Sequence, residues 1–385
     1  MSWPKNWTRT TLGDVAEVLS GFAFKSKDFN TDGKGMPLVR IRDVVSGATS
    51  TFFSGDFDPR FIVRCGDILV GMDGDFNRSR WASEEALLNQ RVCKVSAAEG
   101  LDDGYLFHLL PQILQVISDR TPFVTVKHLS AKELKEYEIP LPPLEEQKRI
   151  AGILDQAAEL CRLRTRALDK LGILGQAIFH EMFGDLSINS EGWETKPIGE
   201  VCEAMVDCVN RTAPVVEGQT PWRMIRTTNI RHGVVNLDTV RYVDEQTFER
   251  WNRRLTPRPG DVLLTREAPV GEVGVLRETG VFLGQRLFLY RPDADILLPE
   301  FLSYQMMSPY FELQFSQSGS GSTVKHLPLP ACQSFEVRVP PVEKQSAFDA
   351  AISALTAEEL RLRRCAEHAQ TLFSSLQHRA FRGKL

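Results

Sequence analysis

The sequence lacks most of what nucleotide or metal chemistry requires. Its seven cysteines (Cys65, Cys93, Cys161, Cys202, Cys208, Cys332, Cys365) are odd in number and irregularly spaced. They form no C-x-x-C pair, so neither a paired-ligand zinc site nor a disulfide framework is expected. No G-x-G-x-x-G or G-x-x-x-x-G-K-[ST] run occurs, which argues against a dinucleotide, S-adenosylmethionine or Walker-type ATP site. His180-Glu181-Met182-Phe183 is not H-E-x-x-H, no G-x-S-x-G elbow is present, and the seven histidines do not cluster. Asp73 and Asp75 near Arg78 read as an Asp-Gly-Asp turn rather than a metal site. No apolar run approaches the roughly 20 residues of a membrane span. The opening Met-Ser-Trp-Pro-Lys-Asn-Trp-Thr has no apolar signal core, so a soluble cytoplasmic protein is expected.

An excess of positive charge is missing as well. Lys and Arg number 46 against 50 Asp and Glu, a net charge of −4. A protein that coats nucleic acid through bulk charge is thereby excluded, whereas a local DNA-binding face is not. The length of 385 residues suggests more than one core.

What the sequence does contain is itself, twice. Trp7-Thr8-Arg9-Thr10-Thr11-Leu12-Gly13-Asp14-Val15 returns as Trp193-Glu194-Thr195-Lys196-Pro197-Ile198-Gly199-Glu200-Val201. Arg40, Asp43 and Gly47 fall on Arg226, Asn229 and Gly233. Gly66-Asp67-Ile68-Leu69 matches Gly260-Asp261-Val262-Leu263, and Gln90-Arg91 matches Gln285-Arg286. Thr125-Val126-Lys127-His128-Leu129 is repeated unchanged at 323–327, and Pro142-Pro143-Leu144-Glu145-Glu146-Gln147 answers Pro340-Pro341-Val342-Glu343-Lys344-Gln345. Preserved order at a slowly growing offset marks a tandem pair, far too long and too few for a solenoid.

Within each copy, β-branched and aromatic runs between turn signals read as strands: 38–44, 68–72 and 91–95, then 224–230, 262–265 and 286–290. Helices are expected over 105–118 and 299–311. Beyond each Pro-Pro the texture changes to an unbroken seven-residue periodicity. The first seam runs through Ile150, Leu154, Leu168, Leu171 and Ile178, the second through Phe348, Ile352, Leu355, Leu362, Phe373 and Leu376. Such stripes bury against another helix. About 38 residues at 1.5 Å each make a rod of roughly 57 Å, too long for the core of a small domain. The expected fold class is therefore α+β: mixed modules at 1–142 and 187–340, joined by helices at 143–186 and 341–385 that form an antiparallel coiled coil. A register setting Arg164 against Glu359 would also place Gly175 opposite Phe348.

Binding chemistry is concentrated in a few places. In the second module 14 of 16 basic residues are Arg, whose fork suits guanine edges and phosphates. Base composition of the gene is an equally plain explanation. The repeated Lys127-His128 and Lys325-His326 suit a phosphate grip common to both copies, or else a packing role against the helices. Candidate DNA contacts also include Arg40, Arg42 and Arg226, with Arg78 and Arg80 in one divergent stretch and Arg253, Arg254 and Arg266 in others.

The motifs together resemble one family. Pro140-Leu-Pro-Pro-Leu-Glu-Glu-Gln-Lys-Arg-Ile-Ala-Gly-Ile-Leu-Asp155 is similar to the proline-rich start of the conserved helix in specificity subunits of type I restriction–modification systems. Glu181-Met-Phe-Gly-Asp185 and Ala380-Phe-Arg-Gly-Lys-Leu385 resemble that family's helix ends. Gly21-Phe-Ala-Phe-Lys-Ser26, Gly66-Asp-Ile-Leu69 and Thr125-Val-Lys-His-Leu129 resemble its target-recognition signatures. The resemblance implies a non-catalytic subunit with two target-recognition domains, each reading half of a split site in double-stranded DNA, and a coiled coil acting as spacer ruler. It implies two methyltransferase (M) subunits carrying S-adenosylmethionine and restriction (R) subunits using ATP and Mg, with no cofactor on this chain. An orphan or type IIB-like specificity subunit and a coiled-coil protein-interaction adaptor are the alternatives.

Overall fold

Each Pro-Pro pair leads directly into a long helix, Leu144–Phe183 with 40 residues and Val342–Ala380 with 39. Proline just ahead of a helix costs no hydrogen bond, because the first N–H groups have no intrahelical partner anyway. Side-chain burial along both helices follows the seams: Ile150, Leu154, Phe348 and Ile352 are buried, and Leu168, Leu171, Ile178, Leu355, Leu362, Phe373 and Leu376 are half-buried. The computed structural model describes residues 4–120, 127–319 and 326–385. Among them, no helix is long and apolar enough to cross a membrane.

The chain divides into two units, and the boundary cuts both long helices. Unit 1 is Met1–Thr165 with Arg364–Leu385, and unit 2 is Arg166–Arg363. Each unit thus holds the beginning of one long helix and the end of the other. In unit 1, Ile150 and Leu154 share a core with Ala380 and Phe381. In unit 2, Phe179 and Phe183 share one with Phe348 and Ile352. An early segment of one helix packing on a late segment of the other makes the pair antiparallel.

Unit 1 contains a four-stranded antiparallel sheet in the order Ala16–Ser20, Val92–Ala97, Ile68–Gly71, Arg78–Arg80. The helix Asp103–Arg120 covers it, with Tyr105, Leu106, Leu109, Leu110 and Ile113 buried between the sheet and the long helices. A five-stranded sheet built from Phe29–Asn30, Phe52–Phe53, Met36–Val39, Ala86–Leu88 and Ile62–Val63 encloses a second core of Phe24, Phe53, Phe61 and Trp81. Thr8–Thr11 pairs with Glu138–Leu141 and brings the two ends of the module together.

Unit 2 repeats the frame. Cys202–Asp207, Leu287–Pro292, Val262–Arg266 and Val270–Val275 stand in the same order, and Gly233–Val235 and Ile230–Arg231 extend the sheet to six strands. Glu194–Pro197 pairs with Glu336–Val339 as the closing ribbon. The smaller sheet has three strands, Arg241–Tyr242, Arg223–Ile225 and Val281–Leu283.

Three elements differ from the sequence expectation, and one is the strand expected over 224–230, which stops at Ile225 before the 3-10 turn Thr227–Asn229 and the separate strand Ile230–Arg231. The strand expected over 38–44 stops at Val39, and the chain turns into the short helix Asp43–Ser46. The Asp43 carboxylate accepts the Arg40 N–H at 2.9 Å, a local bond that competes with continued pairing. The helix expected over 299–311 is two helices, Pro299–Met306 and Pro309–Ser318. Ser308 is extended at φ −87°, ψ 161°, as the residue before a proline tends to be. Pro111, by contrast, lies inside the unbroken helix Asp103–Arg120.

The helix seam also departs from the register drawn above. Gly175 lies beneath Tyr304, whose hydroxyl occupies the space a Cβ would need. Phe348 packs instead on Phe179 and Phe183, with ring centroids 5.4 and 5.5 Å away. Glu359 pairs with Arg363 on its own helix at 2.6 Å.

Candidate nucleic-acid interface

Both units bring three segments together at one end of a sheet, the four-stranded one in unit 1 and the six-stranded one in unit 2. In unit 1 the Met72 N–H donates to the Arg91 carbonyl at 2.8 Å, and the Met72 carbonyl accepts from Leu129 N–H at 2.7 Å. In unit 2 the Arg266 N–H donates to the Arg286 carbonyl at 2.8 Å, and its carbonyl accepts from Leu327 N–H at 3.0 Å. The same junction is therefore built twice from matched positions, and the repeated His-Leu pair supplies its third segment.

The side chains at the junction are polar. His128 lies with Nδ1 2.7 Å from Asp73 Oδ1 and 3.1 Å from Arg91 Nη1, and about half its side chain is exposed. Arg91 also pairs with Asp73 at 3.4 Å. In unit 2 Arg286 pairs with Glu267 at 3.0 Å. His326 is half-buried, and Lys325 lies outside the described residues. Lys127 turns inward: Nζ donates to the Ser118 carbonyl at 2.7 Å and to its hydroxyl at 3.0 Å. A cation at the last turn of a helix complements its dipole and its unpaired carbonyls, so this lysine anchors the segment to the helix end.

Of the remaining candidates, Arg266 is part of the unit 2 junction through its own backbone bonds, and no described contact brings the others there. Arg40 and Arg226 start matching turns, in which Asp43 and Asn229 each accept the arginine's own N–H at 2.9 Å. Arg42 is exposed and holds Thr51 and Asp43. Arg226 donates to the Thr239 carbonyl at 3.1 Å. Arg78 lies over the Phe107 ring at 3.6 Å, and burial pushes its pKa down to about 10, with the nearby Arg80 charge adding to the effect. Arg80 reaches the same ring at 4.7 Å and pairs with Asp103 at 2.6 Å. Arg254 is tied to Asp207 at 2.6 Å, Arg266 donates from Nε to the Leu327 carbonyl at 2.8 Å, and Arg253 is exposed.

Sequence reasoning missed Arg91 and Arg286. The signal was present, since Gln90-Arg91 and Gln285-Arg286 are a repeated pair, but strand-like neighbours hid their exposure. It also missed why the motif glutamine repeats. Gln147 accepts Asp102 N–H at 2.8 Å and donates to the Gly100 and Pro142 carbonyls at 3.0 and 2.8 Å. Gln345 does the same with Leu298, Ile296 and Pro340 at 2.8, 2.9 and 2.8 Å. Each buried amide fastens a long helix to its own module.

Comparison with known proteins places this geometry. The family model described as the type I restriction modification DNA specificity domain matches twice, at residues 4–171 and 190–364. The EcoBI specificity subunit of Escherichia coli is 31% identical over 410 residues, covering 99% of this chain and 86% of that protein. The MjaVIII specificity subunit of Methanocaldococcus jannaschii is 22% identical over 378 residues, covering 90% and 85%. The crystal structure of the type I restriction–modification S subunit from M. genitalium superposes with a TM-score of 0.59 at 14% identity, over 99% of this chain and 98% of that one. A chain from a structure describing assembly and conformational transition of a type I system gives 0.57 at 20% identity, with both chains fully covered. With a doubled family domain spanning most of its length and a relative at this identity over nearly all of it, the chain belongs to the type I restriction–modification DNA specificity family.

Proposed function

We propose that the chain is the non-catalytic DNA-recognition subunit of a type I restriction–modification complex. Residues 1–142 and 187–340 each read one half of a bipartite site, and the paired helices set the unread spacer between the halves. The observation that carries this reading is duplication with divergence. The backbone bonds of the junction and the helix seat recur, while the second sheets, of five strands and three, and their side chains differ. A shared frame suits contacts common to both half-sites, and divergent surfaces suit different bases. Adenine methylation would come from two M subunits carrying S-adenosylmethionine, and cleavage from R subunits using ATP and Mg.

Among the candidate residues, the exposed His128 and Arg253 fit DNA contact best. Lys127, Arg80 and Arg254 are held by their own module. The spacer role is tested by deleting one heptad between residues 150 and 182 and mapping methylated sites in cells. A changed spacer or a loss of assembly is expected, and an unchanged motif would refute the ruler. Exchanging residues 1–142 for another recognition domain should alter one half-site alone.

A further inference from the structure

The inference concerns Arg91 and Arg286 and rests on the recognition function above. Both sit at matched places in the duplicated junction, and both have a left-handed backbone, with φ +73° and +69°. Arg91 is the third residue of a turn closed by the Val92 N–H on the Asn89 carbonyl at 3.3 Å. Positive φ at such a place is ordinarily supplied by Gly or Asn, and a branched or long residue there is disfavoured. Two copies that differ at most surface positions nonetheless both carry arginine. The side chain must then do something that the backbone alone would not ask for.

Its geometry indicates what. Each guanidinium is held on one side only, through Nη1: Arg91 by Asp73 and His128, Arg286 by Glu267. About half of each side chain is exposed, and the Nε–Nη2 edges make no hydrogen bond among the described residues. That edge is the fork which grips an oxyanion through two parallel N–H bonds. The carboxylate fixes the plane of the fork and keeps it from wandering, so less freedom is lost when an anion arrives. A half-exposed ion pair contributes little to stability by itself, so pairing with the acid is a weak reason to retain arginine.

We propose that Arg91 and Arg286 are the equivalent phosphate clamps of the two modules, each buttressed by an acidic residue and each gripping a backbone phosphate at the same place in its half-site. Being shared, they position the DNA and do not read it.

The test uses the full chain, alone and in complex with its methyltransferase subunits, titrated with duplexes of unrelated sequence at several salt concentrations. Arg91→Gly and Arg286→Gly should each weaken binding roughly tenfold on every duplex and lower the salt slope by about one. Because glycine prefers this backbone, the melting temperature of either variant should hold or rise. Loss of binding with a kept or raised melting temperature is a signature that a packing role cannot give. A fallen melting temperature with the salt slope unchanged would show the arginines to be structural. Weakening on one sequence alone would make them base readers and overturn the clamp. If the unsubstituted chain bound no duplex in either form, the recognition function itself would fall, not merely this assignment.

Discussion

Units 1 and 2 agree where they hold the long helices and disagree in how their second sheets and interior charges are built. The seats of Gln147 and Gln345 match to within 0.1 Å in all three hydrogen bonds. Beside them the units part. Unit 1 fills its five-stranded sheet with phenylalanines, Phe24 lying 4.8 Å from Phe53 and 6.3 Å from Phe61. Unit 2 has Trp222 stacked on Phe248 at 4.4 Å. Electrostatics differ too. Unit 2 buries the Asp261–Arg291 pair with two bonds of 2.8 and 2.9 Å, whereas Asp67 of unit 1 meets the partly exposed Lys94 at 3.5 Å. One backbone plan therefore tolerates separate solutions for its interior, provided the helix seat is kept.

The sharpest challenge to this comparison is a pair of matched substitutions. Asp261→Asn removes the carboxylate bonded to the buried Arg291, leaving only the weaker pull of Glu203, and should destabilise unit 2 by about 3 kcal/mol. Asp67→Asn at the matched turn should cost unit 1 about 1 kcal/mol or less, because its pair is looser and partly solvated. Urea denaturation of the two variants measures the difference, and equal losses would show that the pairs are not distinct solutions. Next in size, Gln147→Ala and Gln345→Ala each strand one buried N–H and two carbonyls, at about 2–4 kcal/mol. Here the two units should respond alike, and a one-sided loss seen in the same assay would break the claimed equivalence.

The smallest effect distinguishes the units by pH. His108 of unit 1 is buried with Nε2 2.7 Å from Asp155, while the helix of unit 2 carries no histidine. Burial holds the His108 pKa below its ordinary value; the Asp155 bond opposes this, and the charges of Arg78 and Arg80 add to it. A depressed histidine pKa means that the unfolded chain takes up the proton first. Its stabilising contribution is complete above about pH 6.5 and is lost as pH falls below that value. Melting temperatures between pH 5 and 7 should decline less for His108→Gln than for the unsubstituted protein; parallel curves would remove His108 as the source.

The long helices were legible because an unbroken heptad is a one-dimensional signal, and their starts were fixed by paired prolines. The tandem order was legible because matched motifs keep their sequence. Side-chain commitments were not. Lys127 looks as available as His128 in the string, yet only the folded chain shows the Ser118 carbonyl within its reach. The seam register depended on Gly175 finding a large partner on the other long helix, and it found Tyr304 of the helix Pro299–Met306 rather than Phe348. Arg91 and Arg286 were visible as repeated letters, but a left-handed arginine has no sequence signature, since the residue expected there is glycine.

The division of each long helix between units bears on how the protein is made. Unit 2 is one continuous stretch, Arg166–Arg363, whereas unit 1 needs Arg364–Leu385 to be complete. Phe381 packs on Tyr105 with ring centroids 5.4 Å apart, and the Leu385 carbonyl accepts from Arg149 at 3.3 Å. On the ribosome the module synthesised first then closes after the second, waiting with an open apolar floor until residues 364–385 emerge. A chain cut after Arg363 would keep the whole of unit 2 and leave unit 1 incomplete.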